Sequence, residues 1–243
     1  MTVIKANCRD KFTAADFQFI CAALQKSTND EKFLESLFAD TDSRDLLLDD
    51  ERLLHALLER PDYLNVSPHL YFYVLTRHTL RRAGLDDREL TDYVASMLFE
   101  FSRSESFKFT SRNHPEPLEH FFEMYSTLEE TDTHTAFMVR AYMGNRSLFL
   151  SGIFPEHLAA RTTRRGAPDI SFYESMGSSS FRTASHHRLA RQYHLDMVFD
   201  RLAEDFVTAR KALNDLSDRM LTIDNRGASG AEAVLRRIEE NQG

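Results

Sequence analysis

The sequence predicts an all-α fold, a multi-helix bundle, on three observations. Apolar residues recur three and four apart along nearly the whole chain, the spacing that gathers them on one helical face. Chain breakers are scarce, with eight Gly and six Pro in 243 residues. Capping residues stand at the heads of most apolar stripes.

Thr13 precedes the stripe Phe17, Ile20, Cys21 and Leu24. Thr28 and Glu31 form a capping box ahead of Phe33, Leu34, Leu37 and Phe38. Leu53, Leu54, Leu57 and Leu58 make the next helix, stopped by Pro61. Ser67-Pro68 is a cap followed by proline at the first helical position, and the helix it opens runs to Gly84. That helix is apolar on much of its circumference (Leu70 to Leu75), which predicts a central position.

Asp86 and Glu89 open a helix carrying Leu90, Tyr93, Val94, Met97, Leu98 and Phe101. A polar connection spans Ser102 to Pro117, followed by the stripe Leu118, Phe121, Phe122, Tyr125 and Leu128. Thr131 to Thr133 supplies a turn and cap for a helix with Phe137, Met138, Ala141 and Tyr142, which Gly144-Asn145 is expected to end or kink. Leu148 to Phe154 reads as a short buried helix or an extended piece.

From about Arg182 to Leu221 there is no Gly or Pro. Leu195, Val198, Leu202, Phe206, Ala209, Leu213, Leu216 and Met220 alternate at threes and fours, the seam of one long helix packing lengthwise against others. At 1.5 Å per residue it would run about 60 Å, longer than a compact domain is wide. It should therefore project or pair with another subunit, which predicts a homo-oligomer. The expected organisation is one helical domain over 1–222 with an Arg/Ser/Gly-rich connection at 161–181, then a hinge and short C-terminal helix over 223–243.

Nineteen Phe supply ample driving force, since each contributes roughly 1.5–3 kcal/mol when fully buried. Disorder over most of the chain is excluded on that ground. A net charge of −8 opposes whole-surface binding to nucleic acid or an anionic membrane. Cys8 and Cys21 are too few for a disulfide framework and are not a Cys-x-x-Cys pair. Neither a signal-like apolar run after Met1 nor a membrane-length apolar window is present, so a cytoplasmic location is expected.

Several chemistries are set aside because their motifs are missing: the phosphate loop, Gly-x-Gly-x-x-Gly, His-Glu-x-x-His and Gly-x-Ser-x-Gly. Helical bundles build metal sites from Glu-x-x-His, and none of the ten histidines has that spacing. The nearest substitute is Glu-x-x-x-His, as Glu116 with His120 and Glu130 with His134. Two such pairs would bracket one or two transition-metal ions, with His187 and His194, two turns apart, as further ligands. Pro115 and Pro117 around Glu116, and the turn between Glu130 and His134, weaken that reading.

The stretch from Arg161 to His194 is the cationic exception in an acidic chain. Arg161, Arg164, Arg165, Arg182, Arg188 and Arg191 stand there against Asp169 and Glu174, a net of +4. Those arginines are the candidate anion- or partner-binding residues, since guanidinium groups chelate phosphate and carboxylate. Phe172, Tyr173 and Phe181 interleave with them as base-stacking partners would. The structural alternative is docking against the acidic stretch Asp30 to Asp62, which carries a net of −7.

Three functional classes follow. The sequence favours a non-enzymatic helical scaffold or regulatory subunit without a cofactor, working through its helix seam and its arginines on an acidic protein or phosphate-bearing ligand. Behind it stand a helical-bundle metalloenzyme, an oxidase or hydrolase, and a phosphate or nucleic-acid binder acting through residues 161–191.

Overall fold

A computed structural model of the protein describes residues 3–24, 40–59, 66–102, 121–128 and 131–224, without the side chains of residues 165 and 219–224. Among them there is no strand. After a 3-10 turn at Arg9–Lys11 come Ala14–Leu24 (α1), Thr41–Leu48 (α2), Glu51–Glu59 (α3), Pro68–Arg82 (α4), Arg88–Phe101 (α5) and Phe121–Thr127 (α6). Then follow Thr133–Ile153 (α7), Pro155–Arg165 (α8), Ile170–Ser185 (α9), Arg188–Gln192 (α10), Asp196–Glu204 (α11) and Phe206–Asp224 (α12). No helix among the described residues is long and apolar enough to cross a membrane. The expected helix after Thr28 and the hinge and short helix beyond Asp224 lie outside the described residues.

Local chemistry fixes most helix starts. Side-chain oxygens of Asp40, Ser67, Asp87, Asp132 and Asp169 accept from amides in the first turns of α2, α4, α5, α7 and α9. Each satisfies a donor that the helix itself leaves unpaired. At α1, Thr13 and Asp16 cap reciprocally: the Thr13 amide donates to Asp16 (2.7 Å) and the Asp16 amide to the Thr13 hydroxyl (3.3 Å).

The core is one continuous cluster from Ile4 to Leu216. α7 is its axis, packed against α5, α6, α8, α9 and α12. Phe199 gathers the aromatic centre, with Tyr93 and Phe181 each 5.3 Å away and Phe137 at 6.2 Å. Small residues let these helices approach closely: a β-carbon on Gly144 would meet the Phe181 ring at 2.8 Å, and one on Gly152 would meet Leu213 Cβ at 2.8 Å.

Three expectations are corrected. Gly144-Asn145 does not end α7, which continues through Leu148 to Ile153. Gly144 is there for the close contact with Phe181, and Asn145 is buried but satisfied by the Tyr93 hydroxyl at 2.8 Å. The segment 161–181 is helical except for 166–169. Gly166 ends α8 in the left-handed conformation (φ 62), and Asp169 caps α9 at once. Of the three serines in α9, Ser178 donates to the Ala203 carbonyl (2.7 Å), whereas Ser180 is fully buried and its hydroxyl finds no hydrogen-bond partner among the described residues.

The single helix over 182–221 is the third. It breaks at 186–187, at 193–195 and at Asp205, giving the end of α9, then α10, α11 and most of α12. Its seam is real but folds back on the chain: Leu195, Val198, Leu202, Phe206, Ala209, Leu213 and Leu216 are all at most 2% exposed. Three bends return these seam residues to one core. Those residues are therefore not available to pair with a second subunit, and the 60 Å argument for an oligomer falls with the helix.

The C-terminal end of α7 is closed by α12. Asn214 donates to the carbonyls of Ser151 (3.2 Å) and Gly152, and Ser217 to that of Ile153 (3.0 Å). Arg210 holds Asn214 in place (2.5 Å) and pairs with Glu174 at 2.7 Å.

Candidate functional site

The densest charged constellation is one the sequence did not announce. Arg9 lies between two buried carboxylates, donating from Nε to Asp92 (2.7 Å) and from Nη1 to both oxygens of Asp45 (2.7 Å). Its backbone amide also reaches Asp92 (2.9 Å), and its guanidinium sits 5.6 Å from the Tyr73 ring centre. Arg88 carries the chain of charges from Asp45 (3.4 Å) to Asp49 (3.0 Å). The fully buried Arg77 then joins Asp49 (2.7 Å) to Asp86 (2.5 Å). This ladder ties the segment before α1 to α2, α4 and α5.

Three carboxylates of the acidic stretch are neutralised by arginines of α2, α3, α4, α5 and the segment before α1. Asp45, Asp49 and Asp50 pair with Arg9, Arg44, Arg52, Arg77, Arg81 and Arg88. Residues 30–39 and 60–62 of that stretch lie outside the described residues.

Burial pushes the Asp49 carboxyl up, but Arg77, Arg81 and Arg88 outweigh it and hold the group below the usual carboxylate range. Burial raises Asp92 more than Arg9 lowers it, so that carboxyl stands above its ordinary value. Cap and ion-pair hydrogen bonds depress Asp40, Asp50, Asp132 and Asp169. A depressed carboxylate contributes stability above its unfolded pKa, about 3.9, and loses it as pH falls through the folded value. Asp92 has the opposite sign and is outnumbered. The fold should lose stability below about pH 4. Asp49→Asn should lower the melting temperature at pH 7, and the difference from wild type should shrink as pH falls below about 4. Melting curves across that range check this, and a constant difference would remove Asp49 from the acid response.

The six cationic candidates do not form one site. α9 has 16 residues, about 24 Å of helix, and it separates Arg161 and Arg164 on α8 from Arg188 and Arg191 on α10. Arg182 pairs with Asp200 and reaches Glu204 (3.7 Å). The backbone of Arg165 closes α8, and Arg161 is half-buried near Tyr173. Nor are the expected stacking partners free: Phe181 is fully buried, Tyr173 nearly so, and Phe172 packs edge-on against Phe121.

What remains is a corner built on α10. Arg188 and Arg191 are exposed and make no ion pair among the described residues. One helical turn apart, they project from the same side. His187 caps α10, its Nδ1 accepting from the Leu189 amide (3.1 Å), and its ring stacks on Phe137 at 5.2 Å. Burial lowers the His187 pKa, helped by Arg188 and His134. α10 ends in a turn where the Leu195 amide donates to the Ala190 carbonyl (2.8 Å) and His194 takes φ 56. The equivalent positions ending α4 and α8 are Gly84 and Gly166. A side chain in that conformation costs on the order of 1 kcal/mol, yet here an exposed histidine holds it. Met197, in the first turn of α11, is 72% exposed.

Of the candidate metal ligands, the structure brings His134 and His187 near each other at the head of α7, with His194 exposed beyond α10. No group of three His, Cys, Asp or Glu converges among the described residues. Glu116, His120 and Glu130 lie outside them. Comparison with protein-family models, curated sequences and solved structures finds no match to this chain.

Proposed function

We propose that this protein is a non-enzymatic helical scaffold or regulatory subunit that docks an acidic protein partner on the α10 corner. One observation carries the reading. Most arginines of the described residues are engaged by the chain's own carboxylates or aromatic rings, whereas Arg188 and Arg191 stand together, exposed and unpaired. Paired guanidinium groups on a fixed element suit carboxylates, and the strained His194 follows directly on that element.

The test is binding of a fluorescent Glu-rich peptide, read by anisotropy at low and high salt. Affinity should fall with salt and drop about tenfold in Arg188→Glu/Arg191→Glu. Arg164→Glu, on α8 beyond the other end of α9, should change it little. Equal losses from both variants, or no measurable binding at low salt, would sink the proposal.

A further inference from the structure

His187 holds the start of α10 with a lone pair, and a proton would take that lone pair away. Its Nδ1 accepts from the Leu189 amide at 3.1 Å, so the neutral ring carries its proton on Nε2. In the imidazolium both ring nitrogens are donors, and Nδ1–H would face the Leu189 N–H. The adjacent histidine responds the other way. His186 Nδ1 lies 2.8 Å from the Arg182 carbonyl, an acceptor that a protonated ring keeps. Of the two, only His187 loses its bond to a proton.

That bond matters because α10 is short. It has five residues, Arg188–Gln192, and its first amides find no partner within the helix. Leu189 is buried, where water is a poor substitute for the lost cap. Both ends of α10 rest on one ring of α7: His187 stacks on Phe137 at 5.2 Å and Tyr193 at 6.2 Å.

The surroundings favour the neutral form. Burial, then Arg188 on α10 and His134 on α7, lower the His187 pKa. Two carboxylates of neighbouring elements are already engaged, Asp132 with the His134 and Thr135 amides and Asp200 with Arg182. A depressed histidine contributes stability above its ordinary pKa, about 6.5, and loses it as pH falls through the lower folded value.

We infer that His187 is a proton-operated latch on the docking corner: neutral, it holds α10 and the Arg188–Arg191 pair in place, and protonated, it lets the first turn of α10 open. The latch lies within α10 itself; only its effect on a partner rests on the docking function proposed above. Arg188 follows the latch directly, so opening that turn ends the one-turn spacing of the two guanidinium groups. A partner would be held at neutral pH and released in mild acid, above the range in which the whole fold weakens.

Amide exchange by NMR on the full-length protein tests the latch. Protection of the Leu189 amide, corrected for intrinsic rates, should fall about fivefold between about pH 7.5 and about pH 5, the factor that losing one helix cap gives. Val139, buried on α7, should not change. His187→Asn supplies a cap oxygen that takes up no proton, so its Leu189 protection should be equal at both pH values. His134→Gln should keep the wild-type response. Leu189 protection independent of pH in the wild type, or an acid response that persists in His187→Asn, overturns the inference. If His187→Asn does not fold, the imidazole nitrogen shifts of the wild type take its place: His187 should show a bare Nδ1 at neutral pH, and a proton there overturns the inference. Anisotropy of the Glu-rich peptide at the two pH values reports the docking function separately. Affinity lost in acid by the wild type and kept by His187→Asn supports both; no peptide binding at either pH removes the docking function, and the exchange result still decides the latch.

Discussion

Arg9→Met should destabilise the protein by roughly 3–5 kcal/mol and lower its melting temperature on the order of 10 °C. The methionine keeps much of the apolar stem, so the loss comes mainly from charge. Asp92 and Asp45, at 5% and 8% side-chain exposure, would be left with one cation fewer in a place where water cannot replace it. Arg88 and Arg44 still reach Asp45, so Asp92 is the group that suffers most. Arg9→Lys should recover only part, because an ammonium cannot chelate two carboxylates at once. Removing the orphan as well should help: Arg9→Met/Asp92→Leu is expected to be more stable than Arg9→Met alone. Urea unfolding of the four proteins decides it. A cost below about 1 kcal/mol for Arg9→Met would mean that the ladder is ornamental to stability.

Nothing in the sequence around Arg9 marks it for burial. It sits in the polar run Cys8-Arg9-Asp10-Lys11, and its partners lie 36 and 83 residues away. Local periodicity and capping rules reach about one helical turn, so long-range ion pairing leaves no trace in them. The helix starts at Thr13 and Ser67-Pro68, and the end at Gly84, were legible because each is decided within four residues. The same locality explains the error over 182–221. With no Gly or Pro, every window favoured helix, and the three–four alternation of apolar residues looked like a straight seam. The breaks rest on features without a sequence signature: a histidine as cap at 187, a histidine in the left-handed turn at 194, and Asp205. The arginine candidates divided for a related reason. Composition counted six guanidinium groups in one stretch but could not see that a 16-residue helix lies between them.

Gly177→Ala should destabilise the fold by about 1–3 kcal/mol, although alanine is the better helix former by about 1 kcal/mol. A β-carbon at that position would lie 2.2 Å from two ring carbons of Phe206 and 2.9 Å from Ser147 Cβ. Neither neighbour has room to yield. Phe206 is 2% exposed and packs 6.2 Å from Phe181, and Ser147 is fully buried on α7. The ring would have to push into the aromatic centre or α9 would have to move off α7, and either opens packing elsewhere. Gly177→Val, with two more methyl groups, should leave little folded protein. The comparison that isolates packing from propensity is Gly177→Ala/Phe206→Leu. Trimming the ring makes space for the new methyl, so the double variant should be less destabilised than the sum of the singles. If the two changes simply add, the close approach of α9 to α7 and α12 is not what requires glycine at 177, and the tight helix seam at the centre of this fold loses its main support.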